Sequence, residues 1–114
     1  MPIPGSSLQI AVVEAGDATT IKCTGKLVAG ATGPLYEEVC RVTPQTKRVV
    51  LDFSDLSFMD SMGLGTVVRI YVHTKAAGVE LQLVNVGKRI RDLLGMTHLL
   101  DVFTICGEHT IRIP

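Results

Sequence analysis

The sequence predicts an α/β domain: a mixed, mostly parallel sheet of roughly four to five strands with about three to four helices packed on it. Three observations carry that prediction. Short β-type runs alternate with helical patterns in the order β, β, α, β, α, β, α, β, and such alternation implies crossover helices between parallel strands. The chain has 114 residues, of which 46% are hydrophobic and 19% charged, enough to bury a core and too apolar for disorder. Finally, it carries no internal repeat, no low-complexity tract and no linker long enough to divide it, so one domain is expected over residues 1–114.

Met1 to Ser7, rich in Pro, Gly and Ser, reads as a frayed start. Leu8 to Val13 and Ala18 to Thr24 read as two short strands joined by a hairpin turn at Glu14-Ala15-Gly16-Asp17, with Gly25 breaking the second. Gly30 to Gly33 is a loop. Pro34 then suits the first turn of a helix that turns Leu35, Val39 and Val42 inward and stops near Pro44. Val49 to Phe53 is the best strand, apolar up to Asp52, as expected of a strand covered on both faces. Ser54 to Asp60 reads as an acidic, serine-rich turn.

Ser61 to Ala77 is the best helix. Leu64, Val67, Val68 and Tyr71 follow the i, i+3, i+4, i+7 rule and should face the sheet, leaving Met62, Thr66, Arg69 and His73 outward. Gly78 stands where a C′ glycine ends a helix. Val79 to Val84 alternates as a strand. Gly87 to Leu94 is a short helix with Ile90, Leu93 and Leu94 on one face and Gly95 as its stop. Met96 to Leu100 connects, Val102 to Cys106 is a final strand, and Gly107 to Pro114 adds a strand or a tail.

Composition narrows the function. The formal net charge is +0 and Lys/Arg occur only in short pairs such as Lys47-Arg48 and Lys88-Arg89, which is not the footprint of a nucleic-acid binder. No apolar run approaches the roughly 18 residues of a membrane span, and the first residues lack the pattern of a signal peptide; a cytoplasmic location is expected. Cys23, Cys40 and Cys106 form no C-x-x-C pair and read as simple buried thiols.

The chemistry-bearing stretch is Asp60-Ser61-Met62-Gly63-Leu64-Gly65, which sets one serine at the mouth of a helix after a strand. In α/β domains that end of the sheet holds the site. One reading makes Ser61 a helix cap, shared with Asp60, that satisfies free N–H groups. The other makes it a phosphoacceptor, because helix starts favour anions. A nucleophilic serine would need a base held by a third group. His73 lies more than three turns away along the helix, neither His98 nor His109 sits in a catalytic loop, and no G-x-S-x-G elbow is present. No enzyme activity, cofactor or metal is therefore expected; Asp52, Asp55 and Asp60, the one carboxylate grouping, read as a solvated loop. Gly63 and Gly65 each cost a helix about 1 kcal/mol relative to alanine, which calls for tight helix–sheet packing or for a partner's close approach.

The string L-D-F-S-D-L-S-F-M-D-S-M-G-L-G from Leu51 to Gly65 resembles the signature of the bacterial anti-sigma-factor antagonists, the STAS domains, whose pattern is D-L-S-x-[FVY]-[MI]-D-S-[ST]-G-L-G between a strand and a helix. The resemblance covers Leu8 to Cys106. It implies a non-enzymatic protein-binding switch that binds an anti-sigma factor, an ATP-dependent serine kinase, and so frees a sigma factor. Phosphorylation of the serine after the aspartate, here Ser61, ends the binding, and a PP2C-type phosphatase restores it. The resemblance assigns Asp60, Met62, Gly63, Leu64, Gly65, Thr66 and Arg69 to the partner surface of a monomer or weak dimer that engages neither nucleic acid nor membrane.

The chain departs from that pattern. Met62 replaces the second hydroxyl, and Gly25-Lys26-Leu27-Val28 stands where the family often has G-E-L-D. The family's C-terminal helix is absent or very short after Gly107. The alternatives are a STAS scaffold without a phosphorylation switch in a larger signalling complex, and a STAS domain that binds a nucleotide or lipid.

Overall fold

The computed structural model describes residues 7–96, 104–105 and 111–113. Residues 1–6 of the expected frayed start, most of the Met96–Leu100 connector, Val102, Phe103 and Cys106 of the expected final strand, and the ends of the tail lie outside the described residues. The elements run β1 (Leu8–Ala15), β2 (Ala18–Leu27), α1 (Thr32–Val42), a 3₁₀ turn (Thr43–Gln45), β3 (Arg48–Met59), α2 (Ser61–Ala76), β4 (Glu80–Val84), α3 (Lys88–Met96), β5 (Thr104–Ile105) and β6 (Ile111–Ile113). They build one mixed sheet in the order β1-β2-β3-β4-β6-β5. The central pairings, β2 with β3 and β3 with β4, are parallel; β1 and the two short C-terminal strands add antiparallel pairs.

The hairpin is tighter than its sequence promised. Only Gly16 and Asp17 lie between Ala15 and Ala18, which are paired, and Gly16 takes φ +60°. A positive φ at the first central position is the backbone of a II′ turn, whose twist matches the strands it joins. Gly25 does not end β2. It sits inside the strand at φ +107°, where a Cβ would lie 2.3 Å from the carbonyl oxygen of Ser7. A glycine there lets the start of β1 close on β2, and Lys26 N donates to that same oxygen at 2.9 Å.

The expected serine-rich turn is instead strand. β3 continues to Met59, and its register with β2 shifts between Lys22 and Thr24 and again between Gly25 and Lys26. Each shift sets an extra β3 residue against β2. The polar residues of the stretch serve these bulges: Ser54 N donates to Asp52 Oδ1 at 2.9 Å and Ser57 Oγ donates to the Gly25 carbonyl at 3.0 Å. Pairing with β4 ends at Asp52 and Val84, so beyond Asp52 the strand is held from the β2 side. Bulges re-aim side chains at the ends of strands, and these lead the chain into α2.

One face of the sheet carries the core. Ile21, Cys23, Val49, Leu51, Phe53, Leu81 and Leu83 join Leu35, Val39 and Val42 of α1, Leu64, Val67 and Ile70 of α2, and Ile90 and Leu94 of α3 in one buried cluster. The other face holds Lys22, Asp52 and Gln82, none fully buried. Covering on both faces, expected for β3, is therefore not what its described neighbours provide. Val50 is the one apolar residue of that face to be largely buried there.

The inward face of α1 is as its spacing predicts, with Leu35, Val39 and Val42 buried. In α2 the buried line is Gly63, Leu64, Thr66, Val67, Ile70 and Thr74. Val68 and Tyr71, expected to face the sheet, are half-buried. Thr66 and His73, expected outward, turn instead toward the interior and α1. Thr66 and Thr74 tolerate burial because their hydroxyls donate to the carbonyls of Met62 and Ile70, each at 3.0 Å. Gly78 ends the helix at φ +73°, and α3 runs past Gly95 to Met96.

Candidate functional site

The candidate site lies where the C-terminal end of β3 enters α2. Asp60 is the N-cap residue, with extended backbone at φ −98° and ψ −175°. Its Oδ1 accepts from Gly63 N at 2.9 Å and its Oδ2 from Ala29 N at 3.0 Å. One carboxylate therefore satisfies a free N–H of α2 and also fastens the β2–α1 loop to it. These backbone donors, Gly63 first and then Ala29, hold the Asp60 carboxyl below its ordinary value, so it is ionised at neutral pH.

Gly63 sits directly under this arrangement. A Cβ there would lie 2.1 Å from the Leu27 carbonyl oxygen and 2.9 Å from Met59 Cγ, and Asp60 N donates to the same Leu27 oxygen at 3.3 Å. The glycine is required by helix–sheet packing. Gly65 is different: it is exposed, and a Cβ would meet nothing within 4 Å.

With Asp60 as the cap, Ser61 is the first residue of the helix and is exposed. Its hydroxyl makes no hydrogen bond among the described residues. Next to it Met62 is 58% exposed, and Val72 further along the same helix is 59% exposed. Met62, Gly65, Arg69 and Val72 recur at spacings of three and four and form the solvent stripe of α2. Arg69 is exposed but ordered: its guanidinium lies 4.1 Å from the centre of the Tyr36 ring on α1. The ring edge of His73 meets the same tyrosine, centroids 6.0 Å apart. Such a cation–π contact holds the charge in place at the surface.

The residues assigned to the partner surface from sequence thus separate. Ser61, Met62, Gly65 and Arg69 are exposed on one helix, whereas Gly63, Leu64 and Thr66 are buried beneath it and Asp60 is committed to capping. Val28, at the family's acidic position, is half-buried against the core. Sequence reasoning overlooked Ala29, whose N–H ties the loop to Asp60, and Val72. Only Val72 carried a signal, lying three residues after Arg69 and seven after Gly65.

The three acidic residues of the stretch have separate partners. Asp55 pairs with Lys22 at 3.0 Å. Burial raises the Asp52 carboxyl, but hydrogen bonds from Asn85 and Ser54 outweigh it and leave the group below its ordinary value. Among the described residues no group of His, Cys, Asp or Glu is placed to hold a metal ion.

A mixed-sheet α/β domain with an aspartate-capped central helix and an exposed serine at that helix's first position defines the class. The chain belongs to the STAS domain family, whose model matches residues 9–110. It is 27% identical over 88 residues to the anti-sigma-B factor antagonist of Bacillus subtilis (strain 168), covering 77% of this chain and 81% of the relative. Its fold is similar to that of an anti-sigma factor antagonist from Mycobacterium paratuberculosis (TM-score 0.74, 20% identity, 90% of this chain and 87% of that one). It also resembles the Bacillus cell fate determinant SpoIIAA in its phosphorylated form (TM-score 0.65, 22% identity, 82% and 86%). The same fold occurs inside the murine anion transporter Slc26a9 (TM-score 0.65, 19% identity, 74% of this chain and 14% of that one), so the fold alone does not fix a role.

Proposed function

We propose that this protein is an anti-sigma-factor antagonist: it binds an anti-sigma factor of the serine-kinase type, frees a sigma factor, and is switched off by phosphorylation of Ser61. The observation that carries this reading is the exposed Ser61 hydroxyl at the first position of α2, with no hydrogen bond among the described residues. Asp60 does the capping, so Ser61 is left for chemistry. The name of the Bacillus subtilis relative supports the role, and the phosphorylated form of the structural neighbour supports a phosphorylation switch.

The physical basis of the switch is charge. A phosphate adds roughly −1.5 to −2 charges beside a carboxylate that is already ionised. The Gly63 N–H, a donor at the same helix start, already donates to Asp60. Phosphorylation therefore changes the surface that Met62, Gly65 and Arg69 present without tightening the fold. An interface desolvated over that surface opposes an added unpaired charge. A PP2C-type phosphatase resets the state, and the cycle runs in the cytoplasm.

The test is incubation with a cognate anti-sigma kinase and ATP, followed by peptide mass spectrometry. Phosphate on Ser61 and none on Ser61→Ala is expected; phosphate elsewhere, or none, overturns the switch. A second reading, an unswitched scaffold in a larger complex, draws on Met62 and Val28 at positions where the family has a hydroxyl and a carboxylate. It requires Ser61→Ala and Ser61→Asp to bind a partner equally well, whereas the switch requires Ser61→Asp to bind more weakly.

A further inference from the structure

A second surface, made by a different element from the Ser61 helix, lies along β1. Among the described residues, β1 is an edge strand of the sheet, paired with β2. Its eight residues pair without a register shift from Leu8↔Gly25 to Ala15↔Ala18, so no bulge twists the edge away. Its sequence, LQIAVVEA, holds no lysine and no proline, and Glu14 is its one charge. Val13 is 60% exposed. Natural sheets guard edges with lysine, proline, bulges or inward charges, because a bare edge is a template for another strand. Along β1 a single glutamate is all that serves.

The geometry of the hairpin says which groups are bare. In a two-residue hairpin the closing pair, here Ala15 and Ala18, is hydrogen-bonded, and bonded pairs then alternate along the ladder. Val13 and Ala11 therefore spend their N–H and C=O groups on β2. Those of Glu14, Val12 and Ile10 point away from the sheet, and backbone groups of this kind are strong hydrogen-bonding partners.

We propose that this edge pairs with the same edge of a second copy, antiparallel about a two-fold axis, so that a homodimer carries one continuous sheet. The strand is self-complementary. A two-fold axis through Ala11 sets Ile10 against the second copy's Val12 and Gln9 against its Val13. An axis through Val12 sets Ala11 against the second copy's Val13 and Val12 against its own counterpart. The first register brings Ile10 and Val12 together and the second brings Ala11 to Val13 and Val12 to Val12, and in neither does Glu14 face its own copy, so the one charge raises no like-charge contact. The chain's formal net charge of +0 leaves no overall repulsion to resist association. Strand pairing alone buries less than a standard stable interface, so the dimer depends on concentration.

Sedimentation velocity over a concentration series tests this, with Ala11→Lys and Val13→Lys as variants. Both side chains are exposed, so the fold tolerates the change; circular dichroism and melting temperature check that it does. Val72→Lys, which charges the exposed face of α2, serves as a control. The expected result is reversible dimerisation of the wild type and of Val72→Lys, with loss of the dimer in both β1 variants. Hydrogen exchange should slow at the Ile10, Val12 and Glu14 amides as concentration rises. A wild type that stays monomeric throughout overturns the proposal. So does a dimer that survives both edge lysines.

Discussion

At the residue scale, neighbouring positions around the helix start do opposite things. Asp60 and Ser61 are adjacent, yet Asp60 holds two backbone N–H groups and Ser61 none. Asp60→Ala should lower the denaturant midpoint, because it leaves the Gly63 and Ala29 donors without their acceptor. Ser61→Ala should leave the midpoint unchanged; urea unfolding of the two variants side by side checks both. The glycine pair divides in the same way. Gly63→Ala pushes a Cβ into the Leu27 backbone oxygen and should destabilise by about 1–3 kcal/mol. Gly65→Ala enters open space and should stabilise by about 0.4–1 kcal/mol. A partner-binding assay on Gly65→Ala then reads whether its bareness serves contact, since the fold does not need it.

At the element scale, the strands and helices were legible where one period dominates and blurred where two influences compete. α1 was read correctly because Leu35, Val39 and Val42 are its large apolar residues on one line. α2 was read as a helix, but its buried line was rotated. Ile70 was passed over for Val68 and Tyr71 because apolar residues occupy several lines of α2, and sequence alone does not say which meets the sheet. Ile70 is fully buried, so Ile70→Ala should cost about 2–5 kcal/mol by thermal or chemical unfolding. Val68→Ala, at a half-buried position, should cost less. β3 shows the same limit. Its first half reads as strand from its apolar run, while its second half is strand because it pairs with β2 through two bulges, where Ser54 bonds to Asp52 and Ser57 to Gly25 of β2. Polar composition mimicked a turn.

At the scale of the whole molecule, burial and charge set how the protein responds to reagents and acid. Cys23 lies in the core, and burial pushes its thiol up to about 12. It should resist alkylation in the native protein and react on unfolding, which mass mapping of iodoacetamide-treated samples checks. Asp52 and Asp60 both titrate below the ordinary 3.8. Groups lowered by folding add stability above their unfolded pKa and lose it as pH falls through the folded one. Stability should thus hold down to roughly pH 4 and drop below it. Asp60→Asn should show a shallower acid limb than wild type in unfolding curves; an identical limb would mean that Asp60 contributes none of it.

The sequence by itself determined the class of fold, the order of the long elements and the stretch proposed as the site. Hydrophobic period and turn chemistry are local, and Asp60-Ser61 before a helical pattern is a local statement as well. Only the tertiary structure decided that Asp60 is the cap, that Gly63 is a packing glycine while Gly65 is open, and that Arg69 lies on Tyr36 of another helix. It also decided that β1 stands at the edge of the sheet among the described residues. Each of these depends on a group brought from afar: the Leu27 carbonyl, the Ala29 amide, the Tyr36 ring, the place of a strand in the sheet. Spacing along the chain encodes which face a residue belongs to, but not what that face will meet.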